Sequence, residues 1–104
     1  MGERTANVVP GDISVTITRL AQTIESRVGA DPEVSYTARL LVAPIDDVLK
    51  KLVEESTELA LAIKDDDHDH VRYEAADLVY HLLVLLQKVG ISVDELAGEL
   101  DARH

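Results

Sequence analysis

Two long segments with the apolar spacing of an α-helix, joined by a short acidic stretch, most constrain the fold of this chain. In residues 44–64 and 70–89, apolar side chains recur three and four positions apart. Each set lies on one side of a helix that turns by about 100° per residue. The polar stretch between the segments is short, which favours an antiparallel arrangement. The pattern therefore predicts a helical hairpin as the core of the fold.

Three shorter helices are expected around this hairpin. The same apolar spacing predicts a first helix over about residues 12–28 and a short helix or turn over residues 35–43. Ser92 begins a last helix, because its side chain can cap the first turn. Residues 1–11 are expected to form a disordered tail, so that a single all-α domain of four to five helices spans residues 12–104.

Composition agrees with an all-helical fold and favours assembly. The 104 residues include no Phe, no Trp and three Tyr, whereas strong helix formers are abundant. The apolar side of the predicted fourth helix covers about 180°, which is wider than one neighbouring helix needs. We therefore expect the helical bundle to be completed by a homodimer or a higher homo-oligomer.

Negative charge excludes several classes of partner. The chain has 20 acidic and 10 basic residues and a formal net charge of −10, and residues 54–77 alone hold nine acids and two bases. Such a surface repels nucleic acid and anionic membranes, so neither is expected as a partner. The absence of cysteine fits a reducing compartment. Neither a signal peptide nor a membrane-length apolar run is found, so a cytoplasmic protein is expected.

Carboxylates form two short rows, one on each helix of the predicted hairpin. Glu54, Glu55 and Glu58 fall within about 100° on the first helix, and Glu74 and Asp77 lie about 60° apart on the second. Folding the hairpin could bring all five toward one volume, where cations would have to neutralise them. Oxygen ligands of this kind select Mg²⁺ or Mn²⁺. The alternative is a solvated acidic face, which is common in so acidic a chain.

The sequence around these acids resembles a known family. Glu54-Glu55-x-x-Glu58 followed by Glu74-x-x-Asp77 is similar to the metal-binding motif of the all-α nucleoside triphosphate pyrophosphohydrolase superfamily. Within it, the flanking sequence resembles the phosphoribosyl-ATP pyrophosphohydrolase family over residues 13–103. The matching stretches are residues 35–41, Lys50-Lys51, residues 73–86 and residues 90–92.

The resemblance implies an Mg²⁺-dependent hydrolase of the second step of histidine biosynthesis. The reaction would cleave phosphoribosyl-ATP between its α and β phosphates, giving phosphoribosyl-AMP and pyrophosphate. The implied Mg²⁺ ligands, with Mn²⁺ as an alternative ion, are Glu54, Glu55, Glu58, Glu74 and Asp77. Among them Glu55 is the candidate to accept the proton of the attacking water.

Further candidates are polar residues that could contact the nucleotide substrate. They are Ser35, Tyr36, Thr37, Arg39, Lys50 and Lys51. The arginine is suited to hold a phosphate through two parallel hydrogen bonds, and the two lysines are either phosphate contacts or ordinary solvated side chains. The three hydroxyl residues could bind phosphate or ribose, or else form a helix cap followed by a packing tyrosine.

Histidines suggest two further hypotheses. His81 lies one turn after Asp77 and could donate a hydrogen bond to that carboxylate behind the metal, or else cap another buried polar contact. Residues 67–70, Asp-His-Asp-His, could bind a transition metal but are more simply a polar turn.

Two positions depart from the family pattern. Val53 stands where the family usually has Gly, and Val42-Ala43-Pro44 replaces a stretch that commonly contains Gly. Val53 falls on the core side of its predicted helix, so it can be a packing residue that does not touch the site. Two other functions stay open: a house-cleaning nucleoside triphosphate pyrophosphohydrolase of the same superfamily, and a non-catalytic helical interaction module.

Overall fold

Five α-helices make up the described part of the chain, which is residue 5 and residues 7–104 of a computed structural model. The helices are α1 (Ile13–Ser26), α2 (Tyr36–Val42), α3 (Ile45–Lys64), α4 (His68–Val89) and α5 (Val93–Arg103). The predicted all-α fold is confirmed, and the predicted hairpin is the α3–α4 pair, which packs more extensively than any other. No single described helix is both long and apolar enough to cross a bilayer. Only α4 and α5 together meet that test, and they are bent by 106°.

The predicted tail is described only in part. Residues 1–4 and 6 lie outside the described residues. Thr5 and residues 7–11 form no helix, and the backbone carbonyl of Thr5 accepts a hydrogen bond of 2.8 Å from Arg72 of α4. The disorder expected for residues 1–11 therefore stays a prediction.

Side chains and one glycine define where the helices begin and end. Asp12 caps α1 by accepting hydrogen bonds from two backbone N–H groups of the first turn, and Ser92 caps α5 by accepting one. Gly90 ends α4 with a φ of 79°, a left-handed conformation that glycine adopts without steric cost. These boundaries agree with those expected from the sequence.

The start of α4 differs from the prediction. Residues 65–70 were expected to form a turn, but α4 begins at His68 because the Asp67 side chain accepts a hydrogen bond from the backbone N–H of His70. The capping aspartate shortens the turn. His70 consequently lies in the first turn of α4 instead of the loop.

A small core anchors one end of the hairpin. Its buried apolar side chains are Ile24, Leu40, Val48, Leu83, Val84 and Leu85. They join α1, α2, the first half of α3 and the second half of α4. The acidic rows lie farther along the hairpin, between this core and the turn that links α3 to α4.

Many apolar side chains of α3 and α4 are exposed in the single chain. Val53 is 65% exposed, so it does not lie in the core of the single chain, although it falls on the predicted core side of its helix. Leu49 and Ile63 of α3 are exposed as well, as are Val79 and Leu82 of α4. One neighbouring helix covers only part of each apolar side, which explains why the helical spacing alone overstated the core.

Lys88 of α4 holds the end of α2. Its ammonium group donates hydrogen bonds of 3.0, 2.9 and 2.7 Å to the backbone carbonyls of Leu40, Leu41 and Ala43. In a continuing helix, the Leu40 carbonyl would accept from the N–H four residues later, but Pro44 has none. The lysine therefore satisfies carbonyl groups that the ending of α2 leaves without partners.

Replacing Lys88 with Met should lower the free energy of unfolding by about 2–3 kcal/mol, because three half-buried carbonyls lose a charged donor. Urea unfolding followed by circular dichroism measures the change. Lys50→Met is the matched control, since Lys50 is exposed on α3, and it should shift stability by less than about 0.5 kcal/mol. Equal losses in the two variants would contradict the role given to Lys88.

Candidate metal centre

Three carboxylates from the two helices of the hairpin meet at one place. Glu55 and Glu58 of α3 and Glu74 of α4 each contribute an oxygen, and these atoms all lie within 4.8 Å of one another. Glu74 is 0% exposed, while Glu55 and Glu58 are half-buried. We call these three residues the carboxylate cluster. Residue 5 and residues 7–104 contain no other such group of three or more acidic, histidine or cysteine ligands.

The cluster follows from the register of the hairpin. Glu58 precedes Asp65 by seven residues, and Glu74 follows Asp67 by the same number. At a rise of about 1.5 Å per residue, both lie about 10 Å from the turn, on antiparallel helices. Glu55 lies one turn before Glu58 on the same side of α3. The short turn therefore brings the two acidic rows opposite each other.

Glu74 is held where its charge is disfavoured. Burial is the larger cause, and the carboxyl groups of Glu55 and Glu58 add to it, so that the pKa of Glu74 rises from 4.5 to about 8. The Oε2 atoms of Glu74 and Glu55 are buried and have no hydrogen-bond partner. An unpartnered buried acceptor costs free energy, and a cation would remove that cost for both oxygens.

The cluster fits a small, hard cation. Mg²⁺ binds oxygen ligands at about 2.0–2.1 Å, so two ligand atoms on one ion are at most about 4.2 Å apart. The three cluster oxygens lie within 4.8 Å of one another, so modest side-chain movements would bring them to one ion. Carboxylate oxygens are also the ligands that Mg²⁺ and Mn²⁺ prefer.

Two of the predicted ligands lie outside the cluster. Glu54 is exposed on α3, and Asp77 is half-buried on α4, one turn after Glu74. Tyr73 links Asp77 to the site, because burial and then the charges of Asp77 and the three cluster acids raise the pKa of Tyr73. Asp77 thus shares the electrostatic environment of the cluster. Ligation by Glu54 and Asp77 stays a prediction.

Sequence reasoning missed two residues beside the cluster. His70 Nε2 lies 3.2 Å from Glu74 Oε1, and its side chain is 15% exposed. Tyr73, described above, is the second. The spacing of four residues from His70 to Glu74 and from Tyr73 to Asp77 was the available signal. For His70 this signal was not used, because residues 67–70 were interpreted as a polar turn.

His81 is buried, with 5% exposure, but it does not contact the carboxylate of Asp77. Its Nδ1 lies 2.8 Å from the backbone carbonyl oxygen of Asp77. Because a carbonyl oxygen only accepts hydrogen bonds, Nδ1 is protonated and is the donor. Its Nε2 is buried without a hydrogen-bond partner. This geometry matches the alternative interpretation, in which His81 caps a buried polar group.

The residues proposed for a transition-metal site serve separate structural purposes. Asp67 caps α4, Asp69 pairs with Arg72 at 3.0 Å, and His70 contacts Glu74. No three ligand atoms of residues 67–70 come together within the described chain. The stretch is polar, but it is not a turn, because Asp67 caps α4 and residues 68–70 belong to the first turn of that helix.

Polar side chains of α2 are engaged in two ways. The Ser35 hydroxyl caps α2 by accepting a backbone hydrogen bond of 3.1 Å. The Thr37 hydroxyl shares a hydrogen bond with the hydroxyl of Tyr80 on α4. Tyr36 and Arg39 are exposed, and the guanidinium carbon of Arg39 lies 5.6 Å from the centre of the Tyr36 ring. The capping interpretation of Ser35 therefore describes the structure, whereas Tyr36 is not a packing residue.

The exposed cations nearest the Glu54-Glu55 pair in sequence are Lys50 and Lys51, about one turn earlier on α3. Among the described residues neither forms an ion pair or a hydrogen bond through its side chain. Both are thus available to an anionic ligand and equally consistent with solvation. Their phosphate contacts, and that of Arg39, stay predictions.

Comparison with known proteins adds an independent observation. The family model described as phosphoribosyl-ATP pyrophosphohydrolase matches residues 17–104. A phosphoribosyl-ATP pyrophosphatase of Nitrosomonas eutropha is 46% identical over 91 residues, which cover 88% of this chain and 78% of the relative. The protein of the same name from Methylibium petroleiphilum is 47% identical over 89 residues, covering 86% of this chain and 74% of the relative.

A third relative has a broader name. The histidine biosynthesis bifunctional protein HisIE of Wolinella succinogenes is 46% identical over 88 residues, which cover 85% of this chain and 38% of that protein. The chain is therefore similar to one part of a bifunctional protein and to most of the length of single-function relatives. Because the family model spans most of the described fold, including the whole carboxylate cluster, the chain belongs to the phosphoribosyl-ATP pyrophosphohydrolase family.

Proposed function

We propose that this chain is an Mg²⁺-dependent phosphoribosyl-ATP pyrophosphatase of histidine biosynthesis. It would hydrolyse phosphoribosyl-ATP to phosphoribosyl-AMP and pyrophosphate. The observation that carries the proposal is a buried three-carboxylate cluster in a member of this family. The names of the relatives supply the substrate class.

The residues of this site would have two roles, cation binding and proton transfer. Glu55, Glu58 and Glu74 would hold the cation, with Glu54 and Asp77 as further ligands and Mn²⁺ as an alternative ion. When bound, Mg²⁺ would neutralise negative charge on the phosphate oxygens of the substrate. The oxygen of Glu55 that does not bind the cation is suited to take the proton of a water molecule that attacks the substrate.

Phosphate binding needs cations in this acidic chain. A triphosphate approaching a protein of net charge −10 is repelled unless it arrives with metal ions or meets basic side chains. Arg39, Lys50 and Lys51 are exposed and could supply such contacts, as the hydroxyls of Ser35, Tyr36 and Thr37 could for ribose or phosphate. The proposed binding of the ATP moiety therefore depends mainly on the cation, and these side chains add further contacts. A cytoplasmic location is proposed as well, in keeping with a chain that has no cysteine.

Purified protein with MgCl₂ should release pyrophosphate from phosphoribosyl-ATP. Glu55→Gln should lower kcat by about 10²–10⁴-fold, because an amide cannot accept the proton. A pyrophosphate-coupled assay gives the rates, and Glu99→Gln, an exposed change on α5, is the matched control. A Glu55→Gln rate equal to that of the unchanged protein would refute the role of Glu55.

The same assay separates the two other functions. Equal rates on deoxynucleoside triphosphates and on phosphoribosyl-ATP would favour a house-cleaning nucleotide pyrophosphohydrolase. Release of no pyrophosphate from any of these substrates would favour a non-catalytic interaction module.

Stability of the metal-free protein should depend on pH through Glu74. Its folded-state pKa of about 8 lies above the ordinary value of 4.5, so the folded protein keeps a proton that the unfolded chain releases. The stabilisation is complete below about 4.5 and is lost as pH rises through about 8. Thermal unfolding in EDTA should therefore give a Tm that falls between about pH 5 and pH 8.

Two comparisons test this cause. MgCl₂ should raise Tm most at the alkaline end, since a cation replaces the proton on the cluster. Glu74→Gln, which cannot ionise, should flatten the pH dependence and remove the response to MgCl₂. A Tm slope that is the same in Glu74→Gln would assign the effect to other groups.

We also propose that the chain forms a homodimer or a higher homo-oligomer through α3 and α4. Ile45, Leu49, Val53 and Ile63 lie within about 80° on α3, and all are exposed. On α4, exposed Val79, Leu82 and Val89 likewise lie within about 80° of one another. Two such stripes on adjacent helices match the apolar side of half a four-helix bundle, and a second copy would cover them.

Leu82→Asp should convert the assembly to a monomer of 11.4 kDa, whereas the unchanged protein should have at least twice that mass. Light scattering coupled to size exclusion measures both, and circular dichroism verifies that the variant is folded. Leu100→Asp is the control, because Leu100 is exposed on α5, away from both stripes. A monomeric unchanged protein would refute the proposed interface.

A further inference from the structure

His70 stands at the edge of the carboxylate cluster without belonging to it. It lies in the first turn of α4, where its backbone N–H is 3.3 Å from the capping carboxylate of Asp67. Its ring is directed along the helix to Glu74, four residues later, with Nε2 3.2 Å from Oε1. Residues four apart on a helix are neighbours, so this contact needs no other element to form.

The two oxygens of Glu74 have different surroundings. Oε1 is bonded to the histidine ring, whereas Oε2 is buried and has no hydrogen-bond partner. Glu74 as a whole is 0% exposed. One oxygen is thus fixed by the protein, and the other is left for a ligand.

The histidine nitrogen is not a member of the ligand group itself. The atoms that lie within 4.8 Å of one another come from Glu55, Glu58 and Glu74, and no histidine nitrogen of the described chain joins them. An ionised carboxylate only accepts hydrogen bonds, so a contact with a cation-bound Glu74 requires a proton on Nε2. His70 then acts from behind the carboxylate as a donor.

We propose that His70 is a positioning residue for the cation site. Its Nε2–H donates to Oε1 of Glu74 and restrains the carboxylate that meets Glu55 and Glu58. Fixing the carboxylate before the cation arrives raises affinity, because less side-chain freedom is lost on binding. The inference rests on the proposed function, since it assumes that the cluster binds a divalent cation.

Titration calorimetry with MgCl₂ or MnCl₂, without substrate, tests the role directly. His70→Leu should weaken cation affinity by about 10–100-fold, the usual effect of removing a donor behind a metal ligand. His70→Gln should restore most of the affinity, because the amide N–H reaches a similar position. His68→Leu is the matched control, since His68 is exposed two residues earlier, and it should bind like the unchanged protein.

Activity assays supply a second readout. The Mg²⁺ concentration for half-maximal rate should rise in His70→Leu by the same factor as the dissociation constant, whereas kcat at saturating Mg²⁺ should stay within about twofold. Circular dichroism and Tm verify folding, and His70→Ala replaces the leucine variant if that one does not fold. A merely structural histidine would lower Tm without this selective shift in cation dependence.

The outcomes separate this inference from the proposed function. If the unchanged protein binds Mg²⁺, Glu58→Gln does not, and His70→Leu binds as tightly as the unchanged protein, the inference is overturned while the metal site stands. Equally weak cation binding by His70→Gln and His70→Leu would also overturn it, because hydrogen-bond donation to Glu74 would then not explain the lost affinity. If the unchanged protein and Glu58→Gln both fail to bind Mg²⁺, the proposed function fails first and the inference fails with it.

Discussion

A fully buried carboxyl group lies at the centre of this helical hairpin. Glu74 is 0% exposed and faces two other glutamates across the α3–α4 contact, which raises its pKa to about 8. Burying charge among like charges opposes folding unless a proton or a cation neutralises it. In the metal-free protein, the packing of α3 on α4 must therefore offset this unfavourable free energy. A bound cation would turn the same unfavourable arrangement into a source of stability.

The contacts that stabilise the fold against this cost lie away from the acids. The apolar core of Ile24, Leu40, Val48 and residues 83–85 joins the far end of the hairpin to α1 and α2. Lys88 fastens α2 through three backbone carbonyls, where Pro44 leaves one of them without its usual donor. These contacts hold α2, which presents the polar side chains, against α4.

Much of this architecture could be predicted from the sequence. Helical spacing, capping residues and Gly90 located the helices to within a few residues. Of the five acids in the predicted motif, three meet, namely Glu55, Glu58 and Glu74. The start of α4 was missed because capping by Asp67 depends on the local conformation and not on residue type alone. Val53 is exposed on the predicted core side of α3, because helical spacing shows which side of a helix is apolar, but not what covers that side.

The sequence by itself determined the all-α class, the pairing of the two long helices and the family, because these depend on local spacing and on motifs within single segments. Only the tertiary structure decided which carboxylate oxygens are buried without a partner, that His70 bonds to Glu74, and that His81 caps a backbone carbonyl. It alone also joined Lys88 to carbonyls more than forty residues earlier in the chain. Burial and long-range hydrogen bonds depend on how helices pack against each other, and a one-dimensional pattern does not contain that geometry.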